Sequence, residues 1–227
     1  MPVFNEETTI KEIISKVFSQ DCVKDLIVVD DASTDKTKSI LKSISNNSKL
    51  KIIYHEKNLG KGAAIRSALS FTTGKFTIIQ DADLEYDPSE YSKLLDPLIN
   101  NQADIVFGSR FQSGEQRRVL YFWHYIGNRV LTTFSNIFTN VNLTDMETCF
   151  KVMRTEILQS LDLRENGFGI EPEITAKISK RNFRIYEVGI SYFGRTYLDG
   201  KKITWRDGFR ALYCIVKYNI FRKDLQI

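Results

Sequence analysis

Over its first 110 residues the chain alternates short apolar runs with longer stretches in which apolar residues recur every three or four positions. Ile10, Ile13, Ile14, Val17 and Phe18 share one face of a helix within residues 5–20, with Asn5 or Thr8 to cap its start. Residues 26–29 are a fully apolar, β-branched run that stops at Asp30-Asp31. The turn formers Ser33, Thr34 and Asp35 follow, and then Ile40, Leu41 and Ile44 on one helical face. The same order returns downstream: a strand at 51–54, a glycine-bearing loop at 58–62, a helix at 63–71. Residues 76–80 are the next strand, succeeded by an acidic loop, a helix at 88–98 whose Pro88 suits the first turn, and a strand at 104–107. This alternation predicts an α/β fold with a mostly parallel sheet and helices on both faces, its ligands bound outside the carboxyl ends of the strands. Asp30-Asp31, the acidic loop and Gly108-Ser109-Arg110 each follow a strand, so they should gather along one edge.

Beyond Arg110 the pattern changes. Residues 111–118 are polar, with Gly114 and Arg117-Arg118, and read as a loop; 120–139 are helical and rich in aromatics. Residues 142–154 return to the sheet region, 172–180 form a helix with proline near its start, 184–193 a strand, and 203–221 a last amphipathic helix. With 227 residues, 42% of them hydrophobic, and no internal repeat or low-complexity linker, one domain is expected.

Charge alters the picture at the C-terminal end. The net charge is only +4, yet from Arg181 onward ten Lys/Arg stand against four Asp/Glu. Such a tail favours an anionic partner, phosphate groups or a lipid headgroup surface, while no zinc-finger, RNP or basic-helix pattern points to nucleic acid. In the last helix Trp205, Phe209, Leu212, Tyr213, Val216 and Ile220 are interleaved with Arg206, Arg210, Lys217, Arg222 and Lys223. That helix could lie in the plane of an anionic bilayer or pack its stripe on the core with its cations in water; both readings stand. No run of eighteen apolar residues and no signal-peptide pattern occurs, so a cytoplasmic location is expected, with any membrane contact peripheral at the cytoplasmic face. Cys22, Cys149 and Cys214 are odd in number and widely spaced, and His55 and His124 are isolated, which suggests neither a disulfide framework nor a zinc site.

Residues 77–88 read TIIQDADLEYDP, an apolar run that ends in Asp81, Asp83 and Glu85. Residues two apart in an extended chain point to one side, so Asp81 and Asp83 can present their carboxylates together. Held close they repel unless a cation lies between them, and a hard divalent ion, Mg²⁺ or Mn²⁺, bridging substrate phosphates would serve. The plainer alternative is a solvated acidic turn ending a strand. Asn58-Leu59-Gly60-Lys61-Gly62 lacks the spacing of a Walker loop; its glycines suit a tight turn, with Lys61 near a nucleotide.

Pro2-Val3-Phe4-Asn5-Glu6, residues 28–35 (VVDDASTD), residues 58–62, Asp81-Ala82-Asp83-Leu84 and Gly108-Ser109-Arg110 together resemble the family 2 glycosyltransferases of the GT-A fold. Thr144-Asp145, Lys151, Phe168-Gly169-Ile170-Glu171, residues 192–195 and Gly200-Lys201-Lys202 resemble the branch that includes dolichol-phosphate mannose synthases and bacterial polyprenyl-phosphate glycosyltransferases. The resemblance covers nearly the whole chain. It implies inverting, metal-dependent transfer from a GDP- or UDP-sugar, most simply to a polyprenyl phosphate, with a nucleotide-sugar half at 1–110, an acceptor half at 111–202 and a basic helix at 203–227. Carried over by position, Pro2, Phe4 and Glu6 would line the nucleoside, Asp30 would contact base or ribose, and Lys61 and Asp81 would lie at the nucleotide. Asp81 and Asp83 would hold the metal with Glu85 as a further ligand. Departure of a nucleoside diphosphate develops negative charge that a divalent cation and basic groups stabilise. Arg110, Arg129 and Lys151 are the candidates for that role beside Asp83 and Asp145.

A hydroxyl acceptor would need a base, for which Asp145, Glu147, Glu171 and Glu173 are candidates; a lipid phosphate is already ionised and would need cations, such as Arg195, Lys201 and Lys202 on the acceptor side with Glu171. Three alternatives accompany this reading: transfer to a glycan hydroxyl, a sugar nucleotidylyltransferase, which would carry a glycine-rich, lysine-bearing loop where Phe4-Asn5-Glu6 stands, and an inactive nucleotide-sugar-binding protein. One departure concerns the start. Relatives carry an apolar strand before the Pro-x-x-Asn-Glu motif, whereas Met1 directly precedes Pro2, so the first strand is expected to be truncated.

Overall fold

The computed structural model describes residues 1–112, 118–119, 121–196, 200 and 205–221. Two sheets carry the strands. The first has the order β1-β2-β3, from Pro2–Val3, Leu26–Asp30 and Leu50–Tyr54, all parallel. The second, β4-β6-β5-β7, is built from Phe76–Ile78 (β4), Ile105–Ser109 (β5), Lys151–Arg154 (β6) and Ile185–Gly189 (β7). Here β5 and β7 are parallel, and β6 runs antiparallel to both β4 and β5. The expected parallel sheet thus gains one reversed strand, inserted by the segment that returns after the aromatic helix.

Helices connect and cover these strands: α1 Ile10–Phe18, α2 Thr37–Ser43, α3 Lys61–Leu69, α4 Tyr91–Ile99, α5 Phe122–Thr139, α6 Thr155–Ser160, α7 Ile170–Ser179 and α8 Trp205–Val216. All five residues of β2 are buried, because both of its faces are covered. Val28 joins the main core with Ile13, Leu94, Phe107, Phe150 and Ile174, while Ile27 and Val29 pack on Ala64 and Ala68 of α3. A strand enclosed on both sides reads as a continuous apolar run, which is why residues 26–29 show no alternation.

Two local expectations are corrected. Neither Asn5 nor Thr8 stands at the N-cap of α1: Thr9 does, without a side-chain bond to the helix N–H groups, and its hydroxyl donates instead to Glu6 Oε2 at 2.8 Å. Asn5 instead adopts φ +50, and its side-chain oxygen accepts from Thr34 N at 2.8 Å, tying the loop after β1 to the turn after β2. The helix at 88–98 begins as a 3₁₀ turn, Pro88–Glu90, with the Asp87 carboxylate accepting from Ser89 N. The short α6 was not expected; it follows β6 directly, and the Thr155 hydroxyl ties its start to Gly74 O at 2.6 Å.

The last helix packs on the core with a face other than the expected aromatic stripe. Ala211, Cys214 and Ile215 of α8 are buried and pack toward α7 and α5, whereas Trp205, Phe209 and Tyr213 are exposed. No helix among the described residues is long and apolar enough to cross a membrane.

Candidate functional site: a charged cleft with an aromatic mouth

The loops after β1, β2, β4 and β5 open onto one cleft of about 1150 Å³. Pro2, Phe4 and Glu6 line it beside Asp31, Lys61, Asp81, Asp83, Glu85, Arg110, Glu171 and Arg195, so most of the expected site residues are brought together.

Its charges are organised in three constellations. In the first, Lys61 Nζ lies 2.9 Å from Asp81 Oδ1 and 3.2 Å from Glu171 Oε1, and the Lys151 ammonium bonds Glu171 Oε2 from behind. Burial works to raise the Asp81 carboxyl, but the Lys61 charge outweighs it and holds Asp81 below the usual carboxylate range.

In the second, the Arg195 guanidinium donates to both Glu6 oxygens at 3.0 Å and to Asp83 Oδ2 at 3.3 Å. Glu85 clamps the same segment: Oε1 accepts from Arg195 N at 2.6 Å and Oε2 from Tyr192 O–H at 2.8 Å. Burial, then the charges of Asp81 and Glu85, push the Asp83 carboxyl up to about 7 against the pull of Arg195.

In the third, Arg110 forks onto Asp145, Nε to Oδ2 and Nη2 to Oδ1, both at 2.7 Å, and its backbone N–H also donates to Oδ2 at 3.0 Å. The guanidinium stacks 5.1 Å from the Tyr192 ring.

Several expectations change in this geometry. Asp145 is fully buried and engaged by Arg110, outside the cleft wall, so it orients Arg110. Lys151 is buried in β6 and touches the cleft only through Glu171. Arg129 is exposed on α5 and is not part of the cleft lining, although its neighbours Asn128 and Val130 are. Arg195, expected on the acceptor side, sits among the donor-side acids Glu6 and Asp83. Glu85 is spent on the 192–195 segment, and no group of three or more His, Cys, Asp or Glu able to hold a metal forms among the described residues. Lys201 and Lys202 lie outside the described residues.

Asp30 ends β2 buried, with its carboxylate accepting from Ser33 N, and does not line the cleft; Asp31 does. Successive residues of an extended chain point opposite ways, so only one of the doublet can face the ligand side, and alternation could have singled it out. The Asp31 carboxylate accepts from Leu59 N at 2.9 Å and Gly60 N at 2.7 Å, and its Oδ1 meets His55 Nδ1 at 2.6 Å. It thereby fixes the glycine loop that delivers Lys61. The glycines do more than permit a turn: a Cβ on Gly62 would lie 2.2 Å from Glu165 O, and Gly60, at φ +95, is equally close-packed on Asn166. This contact with a segment 100 residues away leaves no local signal.

The comparisons with known proteins come down on the same side as this geometry. The family model for glycosyl transferase family 2 matches residues 1–162. The chain belongs to that family. This family 2 glycosyltransferase is 27% identical over 224 residues to the dolichol-phosphate mannosyltransferase of Pyrococcus furiosus, covering 96% of this chain and 63% of that one. It is also 27% identical over 228 residues to glycosyltransferase AglJ of Haloferax volcanii, covering 96% and 71%. Among solved structures, glucosyl-3-phosphoglycerate synthase from Mycobacterium tuberculosis in complex with Mn²⁺ and UDP-glucose superposes with a TM-score of 0.73 at 20% identity, covering 96% of this chain and 77% of that one. Likeness at that identity speaks to the fold, which is GT-A as expected.

Proposed function

We propose that this family 2 glycosyltransferase transfers a sugar, with inversion, from a nucleoside diphosphate sugar to a polyprenyl phosphate. The observation that carries this reading is the two-part character of the cleft. Its floor holds Lys61, Arg110 and Arg195 among carboxylates, whereas Phe122, Trp123, Trp205 and Phe209 at its mouth are 63%, 76%, 71% and 66% exposed. An exposed aromatic patch around a polar site suits an acceptor with an apolar tail and a charged head. The dolichol-phosphate mannosyltransferase among its relatives supports the same acceptor class.

Pro2, Phe4 and Glu6 form the side of the cleft suited to the nucleoside, next to Arg195. Asp81 and Asp83 fit a hard divalent cation by the chemistry of their oxygens, and Asp83, raised to about 7, is a carboxyl short of positive charge. Bound there, Mg²⁺ or Mn²⁺ would supply positive charge against the departing diphosphate. Lys61 and Arg195, each now paired with an acid, stand where a diphosphate can exchange those partners for its own oxygens. Asp145 keeps the Arg110 fork fixed, so that cation is oriented before substrate arrives.

Transfer to a glycan hydroxyl is the second reading, favoured by one unpartnered carboxyl in the cleft wall, that of Glu147. The test offers a panel of UDP- and GDP-sugars with Mn²⁺ and either a short polyprenyl phosphate or soluble glycans. Lipid-linked sugar is the expected product; transfer to glycans alone refutes the lipid phosphate.

A further inference from the structure

His55 is isolated in the sequence, and the structure places it where the glycine loop begins. It follows β3 directly, its N–H donating to Asp30 O at 2.9 Å, and its side chain is 9% exposed. Both ring nitrogens are engaged: Nδ1 with Asp31 Oδ1 at 2.6 Å, Nε2 with the Ser67 hydroxyl of α3 at 2.9 Å. A carboxylate only accepts, so Nδ1 carries the proton and Nε2 of the neutral ring accepts from Ser67. Carboxylate, imidazole and hydroxyl in that order are the parts of an activated nucleophile. Neither His55 nor Ser67 lines the cleft, however, so the row of contacts leads the other way, through Asp31 to Lys61.

We propose that His55 is a positioning residue of the transfer: it holds the Asp31 carboxylate against the N–H groups of Leu59 and Gly60 and thereby aims the Lys61 ammonium at the donor diphosphate. The assignment rests on the sugar-transfer reading above and adds a residue that touches no substrate.

Asp31 Oδ1 accepts from Leu59 N at 2.9 Å and Oδ2 from Gly60 N at 2.7 Å, while the Asn58 side-chain amide donates to Asp31 O at 3.3 Å. The next residue is Lys61, which opens α3 and carries its Nζ to 2.9 Å from Asp81 Oδ1 and 3.2 Å from Glu171 Oε1. Ser67 stands on the same helix, so the imidazole grips the chain on both sides of the lysine. Without the ring, the carboxylate is free to turn about its Cβ–Cγ bond and to release one of the two amides. The far side of the loop is backed independently, Gly60 and Gly62 lying against the backbone of Asn166 and Glu165, and Ala63 N donating to Asn166 O at 3.0 Å. Loss of His55 should therefore spoil the aim of Lys61 and leave the loop in place. A charge that meets the departing diphosphate acts only where it is held in advance, and a misplacement of about 1 Å costs up to about 10²-fold in rate.

The experiment crosses His55→Leu and His55→Asn with Lys61→Met and measures UDP and GDP binding by calorimetry. The asparagine amide stands as many bonds from the backbone as Nδ1 and donates to a carboxylate, whereas leucine has no donor. With the nucleotide that wild type binds, His55→Leu should have a Kd roughly tenfold weaker and transfer sugar about 10–100-fold more slowly, and His55→Asn should stay within about threefold of wild type in both. In the Lys61→Met background His55→Leu should add less than about twofold to the loss in Kd, because it acts through that lysine. A histidine that only packs would cost the same factor in both backgrounds; such an additive cycle, or His55→Leu within about twofold of wild type in Kd and rate, overturns the assignment alone. Nitrogen NMR of the histidine rings at mildly alkaline pH, with the His55 signals identified by their loss in His55→Asn, should find Nδ1 protonated. A ring protonated at Nε2 alone overturns the assignment even where His55→Leu fails to fold. Wild type that binds neither nucleotide overturns the transfer reading and this assignment with it.

Discussion

Replacing Asp145 with alanine should unfold the protein more readily before it says anything about chemistry. The carboxylate is fully buried, the Arg110 side chain is only 11% exposed, and three hydrogen bonds of 2.7, 2.7 and 3.0 Å join them. Removing the acid takes away the buried carboxylate that holds the guanidinium against the Tyr192 ring. Breaking a buried pair from one side costs about 3–5 kcal/mol, whereas replacing both partners by apolar groups of similar volume is often neutral. For a chain of this size, roughly 2–4 °C per kcal/mol puts the expected loss at about 6–20 °C in Tm. Asp145→Ala, Arg110→Met and the double variant should therefore form a cycle in which the double variant regains most of the stability either single one loses. Calorimetry reads the cycle directly. A stable Asp145→Ala protein, within about 1 kcal/mol of wild type while transfer is abolished, would refute the structural role and return Asp145 to the list of bases.

Gly62→Ala brings a Cβ to 2.2 Å of a backbone oxygen that cannot turn away, so denaturant unfolding should show a loss of about 1–3 kcal/mol; an unchanged midpoint would contradict the close packing of the two loops. Glu165, whose carboxylate accepts from Arg210 and Lys217 at 2.6 Å and from Tyr218 at 2.8 Å, is drawn from 4.5 to about 2, with burial opposing these donors. Its contribution is full above pH 4.5 and vanishes as pH falls through about 2, so the stability gap between wild type and Glu165→Gln should close over that window; a constant gap would refute it. Asp83→Asn should lower the Mn²⁺-dependent part of donor affinity at least tenfold by calorimetry, and a donor Kd that responds to Mn²⁺ as in wild type would remove Asp83 from the metal site.

What the sequence disclosed and what it withheld divide along physical lines. The strands, the amphipathic helices and the edge where Asp31, Asp81 and Arg110 meet follow from local periodicity, since each apolar run is short and each polar cluster falls at a strand end. The pairing of the charges does not follow, because no local pattern says that Arg195 will reach back to Glu6 and Asp83, or that Glu165 will gather donors from the last helix. Lys151 read as a phosphate ligand because its type and motif matched; that its strand runs antiparallel in the second sheet, with the ammonium on Glu171, depends on topology. Arg129 read as a basic group for the departing diphosphate, yet its side chain is exposed on α5.

The charge balance of the cleft bears on the cofactor more than any single ligand does. Among the described lining residues, eight carboxylates (Glu6, Asp31, Asp81, Asp83, Glu85, Glu147, Glu171 and Asp207) face four basic side chains (Lys61, Arg110, Arg118 and Arg195). A diphosphate entering such a cleft adds negative charge to an acidic surface, and the basic groups it would meet at Asp81 and Asp83 are already engaged there. Two adjustments restore the balance: a proton on Asp83 or Glu147, both raised to about 7, or a divalent cation at Asp81 and Asp83. A proton on Asp83 leaves the β-phosphate without added positive charge during its departure, while the cation supplies it where it is needed. Neutralisation by protons predicts donor binding that weakens steadily from pH 6 to pH 8 and ignores Mn²⁺. Neutralisation by the metal predicts binding that requires Mn²⁺ and strengthens over the same range, as Asp83 loses the proton that competes for the ion; calorimetry across that range decides between them.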